Sequence, residues 1–134
     1  MTFKADILKG KTALVTGGGT GICRGLSLAL AASGCDVAIT SRKAENLEAT
    51  REDLEALGVR ALALAGDVRD PESVDDTVAR TVDAFGHLDI LVNGAAGNFL
   101  CRAEDLSPNG FGTVVDIDLK GTFHMCRAAL PHLK

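Results

Sequence analysis

The sequence lacks an excess of positive charge and any long apolar run. Its 18 acidic residues outnumber its 14 basic ones, and the net charge of -4 makes nucleic acid an unfavourable partner. No stretch approaches the roughly 20 apolar residues that span a bilayer, and residues 1–16 show no secretory cleavage signal. We therefore expect neither a nucleic-acid nor a membrane partner.

Cysteine pairs in metal-binding patterns are also missing. The chain has four cysteines, none in a C-x-x-C pair and none at zinc-ligand spacing: Cys23, Cys35, Cys101 and Cys126. This pattern predicts no metal site and indicates reduced thiols. We expect a soluble intracellular protein, in the cytoplasm or alternatively in the peroxisome.

What is present is typical of one compact α/β domain: 134 residues, 46% hydrophobic, with 15 glycines and only 3 prolines. Short apolar runs predict strands over 12–16, 36–40, 60–68 and 88–93. Between them, helical patterns cover 21–34, 44–58, a stretch that starts at Asp70-Pro71, and 108–133. Alternating buried strands and helices predict a Rossmann-type doubly wound parallel sheet of order 3-2-1-4, with ligands at the carboxyl ends of its strands.

Apolar spacing also predicts which side of each helix faces the sheet. In the first helix we expect Leu26, Leu30 and Ala31 to share the buried face. In the second we expect Leu47, Leu54 and Leu57 to do so, and in the third Val74, Val78, Val82 and Phe85.

A glycine-rich stretch, TGGGTGICRG (16–25), joins the first strand to the first helix. In this context Gly17 suits a tight turn, and Gly21 lets the backbone approach a pyrophosphate at the helix N-terminus, with Thr20 and Ile22 as neighbouring candidate contacts. The last glycine of such a loop serves helix–strand packing, and Cys23 replaces it. We therefore expect Cys23 to crowd the packing without abolishing binding. The alternatives are a tight turn without ligand, and a reactive thiol at a helix N-terminus.

The residues directly after the second strand indicate which nucleotide binds. NAD-binding folds place an acidic residue about 20 residues beyond the glycines, but Ser41 stands there and Arg42 and Lys43 come next. An arginine fork suits a phosphate. The pattern favours NADP(H) over NAD(H), the alternative being two solvated cations at a helix start.

Three motifs together resemble the short-chain dehydrogenase/reductase family: TGGGTGI (16–22), GDV (66–68) and NGAAG (93–97). The resemblance implies that Asp67 and Val68 contact adenine and that Asn93 and Ala95 form the cofactor-binding turn after the fourth strand. Gly94 departs from the family's second asparagine in that turn, which is expected to loosen it.

Within that family, the stretches NGAAGNFL, LSPNGF and DIDLKGTF resemble the 2,4-dienoyl-CoA reductase branch, especially its peroxisomal type and bacterial relatives. The resemblance implies a catalytic acid role for Asp118, where the wider family has asparagine, and places Asn98 and Phe99 at the acyl-thioester end of the site. The structural alternatives are a left-handed turn at Asn98, a core position for Phe99 and a solvated helix position for Asp118.

The family's tyrosine proton donor has no counterpart, because the sequence contains no tyrosine. The resemblance therefore implies that residues 1–134 are the NADP-binding half of a single Rossmann-fold reductase domain, without its C-terminal half. The expected activity is NADPH-dependent hydride transfer to a 2,4-dienoyl-CoA or related enoyl-CoA. The alternatives are a trans-2-enoyl-CoA or 3-oxoacyl reductase and a non-catalytic NADP(H) sensor. A dimer or tetramer that packs through helix 108–133 is also expected.

Overall fold

The computed structural model describes residues 3–134 and confirms the doubly wound sheet. Four parallel strands lie in the order β3-β2-β1-β4. Their bounds are Thr12–Thr16 for β1, Asp36–Ser41 for β2, Ala61–Ala65 for β3 and Ile90–Val92 for β4. Because the strand order reverses between β1 and β4, a crevice opens at the carboxyl ends of these two strands.

Residues 3–134 contain five α-helices. They are α1 (Gly21–Ala32), α2 (Glu45–Glu55), α3 (Pro71–Phe85), α4 (Pro108–Val114) and α5 (Gly121–Leu133), with a short 3-10 turn at Ala103–Asp105. Four of them pack on the sheet, while α4 contacts the segment that follows it. None of the helices in residues 3–134 is long and apolar enough to cross a membrane.

Each face of the sheet carries its own core. Val15 and Ile39 pack with Leu47 and Leu54 on the side of α1 and α2. Leu14 packs on the other side, where α3 and α5 contribute Val74, Val78, Phe85 and Met125. The chain thus buries both faces of a parallel sheet, as its continuous apolar strands predicted.

The predicted buried faces are confirmed for α3 but partly wrong for α1 and α2. Leu26 is 44% exposed, because α1 lies close to the sheet through Cys23, Ser27 and Ala31, which recur every fourth residue. Leu57 is 47% exposed, since α2 ends at Glu55 and the helical spacing no longer applies beyond it.

The third helix begins as predicted. The Asp70 side chain accepts a hydrogen bond of 3.1 Å from the backbone N–H of Glu72, and Pro71 occupies the first helical position. A carboxylate there satisfies an N–H group that the helix itself leaves free. The start of α3 is therefore marked by residues that neighbour it in the sequence.

The last predicted helix, 108–133, is not a uniform α-helix. Between α4 and α5 the chain makes a π-helical segment, Val115–Lys120. Such wide turns are rare and occur often at functional sites. This segment carries Asp118, and it brings Ile117 to the crevice beside β4.

Candidate functional site

A cleft of about 480 Å³ opens at the carboxyl ends of the strands. It is lined by most of the residues predicted to bind cofactor: Gly17, Thr20, Ile22, Ser41, Arg42, Lys43, Asp67, Val68 and Ala95. Gly21 and Asn93 adjoin the lining without belonging to it, and Asn98, Phe99 and Asp118 also lie outside it. The strand topology thus gathers four separate motifs around one cavity.

The glycine loop is held by close backbone contacts. A Cβ atom on Gly18 would lie 2.6 Å from Cγ2 of Ile39, and one on Gly19 would lie 2.9 Å from the carbonyl oxygen of Asn46. The hydroxyl of Thr50 donates a hydrogen bond of 3.2 Å to the carbonyl of Gly19. The loop is therefore seated directly on β2 and α2 before any ligand arrives.

The N-terminus of α1 faces the cleft without a side-chain cap. Thr20 is the N-cap residue, but its side chain makes no capping hydrogen bond, so the first N–H groups of the helix remain available to an anion. Gly21 has φ +54°, and its missing Cβ would meet no atom within 4 Å. The side chain of Ile22 is 84% exposed at the same edge. These features suit a pyrophosphate lying across the helix start.

Thr16, which the sequence patterns did not identify, anchors the turn after β4. Its hydroxyl oxygen accepts hydrogen bonds from the backbone N–H groups of Gly94 (2.9 Å) and Ala95 (3.0 Å), and the hydroxyl lies 3.5 Å from the Val92 carbonyl oxygen. The only indication in the sequence is its position directly before the glycines. Its partners are remote in sequence and became neighbours through the pairing of β1 with β4.

The crowding expected at Cys23 is accommodated by Gly94. The thiol of Cys23 lies against the turn after β4, at the place that a side chain of residue 94 would occupy. Both residues line the cleft. The two departures from the family motifs thus lie in direct contact with each other.

Two basic side chains stand free at the far end of the cleft. Arg42 and Lys43 are exposed, and neither takes part in an ion pair within residues 3–134. The hydroxyl of Ser41 donates 3.1 Å to the carbonyl of Lys43, which shapes the turn that carries them.

Asp67 is engaged by a neighbouring arginine. The Arg69 guanidinium contacts both carboxylate oxygens, at 3.0 Å from Nε to Oδ1 and 2.6 Å from Nη2 to Oδ2. This side-chain hydrogen bonding lowers the pKa of Asp67, and the nearby charge of Arg42 acts in the same direction. The carboxylate is therefore held ionised and in one orientation at the cleft.

The α5 helix supports the same end of the cleft. His124 Nδ1 lies 2.8 Å from the carbonyl oxygen of Val68, and a Cβ atom on Gly121 would approach Val68 Cγ2 to 2.5 Å. Neither contact is evident from the sequence, because a long stretch of chain separates α5 from β3.

The residues implied at the reacting end lie on the loop beyond β4 and on the π-helical segment. Asp118 is exposed, and its Oδ1 accepts a hydrogen bond of 2.9 Å from the N–H of Gly97. Among residues 3–134 no non-glycine residue has positive φ, so Asn98 does not hold a left-handed turn. Phe99 is 53% exposed and is not a core residue. Asn93 donates from Nδ2 to Sγ of Cys126 at 3.4 Å.

No cluster of three or more potential metal ligands was found in the described part of the chain. The polar lining of the cleft includes backbone groups of the glycine loop, hydroxyls, one carboxylate and two cations, beside apolar side chains such as Val68 and Ile117. The backbone N–H groups and cations of this set suit an extended phosphate-bearing molecule.

Known proteins resemble this chain over almost its whole length. A family model described as short chain dehydrogenase matches residues 11–134. Peroxisomal 2,4-dienoyl-CoA reductases of Arabidopsis thaliana and Saccharomyces cerevisiae are 52% and 44% identical, over 98% and 99% of this chain. A solved 3-ketoacyl-(acyl-carrier-protein) reductase from Brucella melitensis, complexed with NADH, is 33% identical with a TM-score of 0.86 and covers 93% of this chain.

The chain spans about half the length of these relatives. It covers 44% and 47% of the two dienoyl-CoA reductases and 50% of the Brucella chain.

Proposed function

Because the chain belongs to the short-chain dehydrogenase family, we propose that its cleft binds a nicotinamide dinucleotide, NADP(H) in preference to NAD(H). The observation that carries the preference is the pair of free cations, Arg42 and Lys43, at the cleft end where Ser41 replaces the acidic residue of NAD-binding folds. Two cations beside a serine hydroxyl favour a 2′-phosphate over a bare ribose hydroxyl.

The remaining residues fit the other parts of that dinucleotide. The uncapped start of α1, with Gly17 and Gly21, would receive the pyrophosphate, with Thr20 and Ile22 beside it. Asp67 and Val68 would contact adenine, and Ala95 with Asn93 would border the nicotinamide end. The bound cofactor would supply hydride, while the chain's own part is to orient it.

We further propose that residues 1–134 form the cofactor-binding part of a Rossmann-fold reductase that acts on a 2,4-dienoyl-CoA or related enoyl-CoA. The names of the relatives support this substrate class. Asn98 would donate its amide to the thioester oxygen, where negative charge gathers after hydride arrives, and Phe99 would pack against the acyl chain. Both stand exposed on the loop beyond the β4 turn.

Asp118 has two proposed tasks. Through Oδ1 it holds the N–H of Gly97 and thereby the loop that carries Asn98. Its Oδ2 has no hydrogen-bond partner among residues 3–134, so it is open to exchange a proton with a water or a neighbouring group. Once it has taken up a proton from that water or group, the carboxyl group would donate it in the proton transfer that completes the reduction after hydride transfer, and would return to the carboxylate.

Two alternatives stay open to experiment. The Brucella relative, a 3-ketoacyl reductase complexed with NADH, favours a 3-oxoacyl substrate or NAD(H) instead. A non-catalytic NADP(H) sensor would use the same cleft.

We also propose a homo-oligomer that packs through the last helices, where Leu119, Phe123 and Leu130 are exposed.

The cofactor proposal is tested with Arg42→Ala/Lys43→Ala. Loss of charge-assisted hydrogen bonds should weaken NADPH binding by about 2–4 kcal/mol and leave NADH binding nearly unchanged. Fluorescence titration of both cofactors measures this. The matched control, Lys9→Ala/Arg80→Ala, removes the same charges away from the cleft and should have little effect. Equal losses for NADPH and NADH would contradict phosphate recognition by these cations.

A further inference from the structure

Two residues that depart from the family motifs meet in this structure. Cys23 lies in the first turn of α1, and Gly94 lies in the turn after β4. A Cβ atom built on Gly94 would lie 2.0 Å from Sγ of Cys23 and 3.3 Å from its Cβ. Non-bonded heavy atoms pack at about 3.5–4.0 Å, so the thiol occupies the space that any side chain at position 94 would need.

We propose that Cys23 and Gly94 form one packing pair that sets the distance between the first turn of α1 and the turn after β4, and so positions the two ends of the bound cofactor relative to each other. This inference rests on the proposed function, because it assigns the pair a task in cofactor binding. Cys23 is a positioning residue here and takes no part in chemistry.

The surroundings of the pair explain why its spacing matters. On one side, Gly17 approaches so closely that a Cβ atom there would lie 2.9 Å from the carbonyl oxygen of Gly94. The loop proposed to hold the pyrophosphate and the turn proposed to border nicotinamide therefore touch directly. Any displacement of Gly94 would be transmitted to Gly17 through that contact.

Both members of the pair are anchored through the backbone. The N–H of Gly94 donates to Thr16 Oγ1 at 2.9 Å, and the carbonyl of Cys23 accepts from the Ser27 hydroxyl at 2.9 Å. Cys23 also packs against the core beneath α1 and α2. The backbones of both partners are therefore held, so extra volume at position 94 must either turn the Cys23 thiol into another rotamer or widen the gap between α1 and the β4 turn.

The pair also accounts for Cys23 in the glycine loop. The last glycine of such loops permits close packing between helix and strand. Here the volume has been added on the helix side, and the turn side carries no side chain at all. The total volume between the two elements is thereby kept low. Glycine at position 94 is required both by the thiol of Cys23 and by the carbonyl oxygen of Thr16, which a Cβ atom there would approach to 2.7 Å.

A double-mutant cycle tests the coupling: Cys23→Gly, Gly94→Ala and the double variant Cys23→Gly/Gly94→Ala. Two ligands are titrated, NADPH and 2′,5′-ADP. The second ligand lacks the nicotinamide half of the cofactor and so does not extend to the turn after β4, whereas general damage to the fold would weaken both ligands alike. Gly25→Ala is the matched control, since a Cβ atom on Gly25 in α1 would meet nothing within 4 Å.

We expect Gly94→Ala to weaken NADPH binding about tenfold or more and 2′,5′-ADP binding by no more than about threefold. Cys23→Gly alone should change both by no more than a few-fold. The double variant should recover part of the NADPH affinity lost in Gly94→Ala, so that the losses of the two single variants do not multiply. Recovery should be incomplete, because the Cβ atom added at position 94 would also lie 2.7 Å from the carbonyl oxygen of Thr16.

If Gly94→Ala does not fold, recovery of a cooperative thermal transition in the double variant supports the pair, and failure to recover it counts against the pair. The inference would be overturned if the fold-loss in NADPH affinity of the double variant equalled the product of the fold-losses of the two single variants. An unchanged NADPH affinity in Gly94→Ala would also overturn it. A wild-type chain that binds neither ligand would instead refute the proposed function.

Discussion

At the scale of single residues, charge is used at the cleft in two opposite ways. Arg42 and Lys43 are left without ionic partners among residues 3–134, whereas Asp67 is fully engaged by Arg69. A free cation binds an incoming phosphate at little cost, because no internal pair has to break first. An engaged carboxylate is pre-oriented, which saves side-chain entropy when a nucleobase binds.

Arg69→Ala should raise the pKa of Asp67 towards the ordinary carboxyl value, because the lowering comes first from hydrogen bonds of Arg69. A carboxyl whose pKa is lowered by folding adds stability above its unfolded pKa, near 4, and loses it as the pH falls through the folded value. The variant should therefore lose less stability than wild type on acidification. NMR titration of the Asp67 carboxyl and urea denaturation across pH 3–7 measure both effects.

The control for that prediction is Arg102→Ala, which removes an arginine paired with Asp105 on the exposed loop. It should leave the titration of Asp67 unchanged. NADPH binding should also weaken in Arg69→Ala by a few-fold and hold in Arg102→Ala. An Asp67 that titrates identically in Arg69→Ala and wild type would show that the ion pair does not form in solution.

Cys35 illustrates what burial does to a thiol. It is fully buried, and this burial, with the charges of Asp36 and Asp89, raises its pKa to about 11. At pH 8 only about one such thiol in a thousand is ionised, and only thiolates react readily. We expect iodoacetamide to label the exposed Cys101 long before Cys35. Mass spectrometry at successive times after addition of iodoacetamide measures the labelling rate of each cysteine. Equal rates in the folded protein would contradict the expectation, and both cysteines should react once urea is added.

At the scale of elements, the segments that shape the site are joined by contacts remote in sequence. Thr16 at the end of β1 holds the turn after β4, and Asp118 in the π-helical segment holds the loop beyond that turn. Each contact replaces hydrogen bonds that loop N–H groups would otherwise make with water. The end of the cleft that we propose takes nicotinamide is therefore positioned by two side chains, one on β1 and one on the π-helical segment.

Two substitutions distinguish the positioning role of Asp118 from its proposed role as an acid. Asp118→Asn keeps an oxygen for the N–H of Gly97, whereas Asp118→Ala removes it. Amide hydrogen exchange at Gly97 should therefore quicken in Asp118→Ala, by about fivefold for a hydrogen bond worth about 1 kcal/mol, and change little in Asp118→Asn.

The acid task is measured by steady-state kinetics with a dienoyl-CoA, in a protein that carries this chain and performs the reduction. Asp118→Asn should lower kcat by about 10²–10⁴, the usual size of a general-acid contribution, while NADPH affinity holds. A near-normal kcat in Asp118→Asn, together with a loss in Asp118→Ala, would leave Asp118 as a positioning residue only.

At the scale of the whole molecule, stability depends on a sheet buried on both faces. β1 is the central strand, paired with β2 on one side and β4 on the other, and all five of its residues are buried. Its side chains alternate between the two cores. Since the same strand ends in Thr16 and the glycine loop, global stability and site geometry depend on the same residues.

Leu14→Ala should therefore destabilise the fold by about 2–5 kcal/mol, from lost apolar burial and the cavity left behind. Leu14 is 0% exposed, whereas Leu100 is 106% exposed, so Leu100→Ala is a chemically identical control that should cost less than about 0.5 kcal/mol. Urea denaturation compares the two. Similar midpoints for both variants would contradict the two-sided core around β1.

Much of the fold could be predicted because its causes are local. Apolar runs define β1 and β2, and Asp70-Pro71 marks the start of α3, where capping involves only neighbouring residues. The prediction was wrong at Leu26 and Leu57, because helical spacing does not report how closely a helix approaches the sheet or where it ends. The π-helical segment was missed for a similar reason, since its sequence has an ordinary helical pattern.

The sequence by itself determined the order of elements, the parallel sheet and the motifs that line the cleft, because short-range periodicity and glycine spacing act within a few residues along the chain. Only the tertiary structure decided which remote groups meet: Thr16 with the turn after β4, Asp118 with Gly97, and Cys23 with Gly94. These contacts depend on sub-ångström distances between elements, which arise from packing the whole sheet and its helices and leave no periodic trace in the sequence.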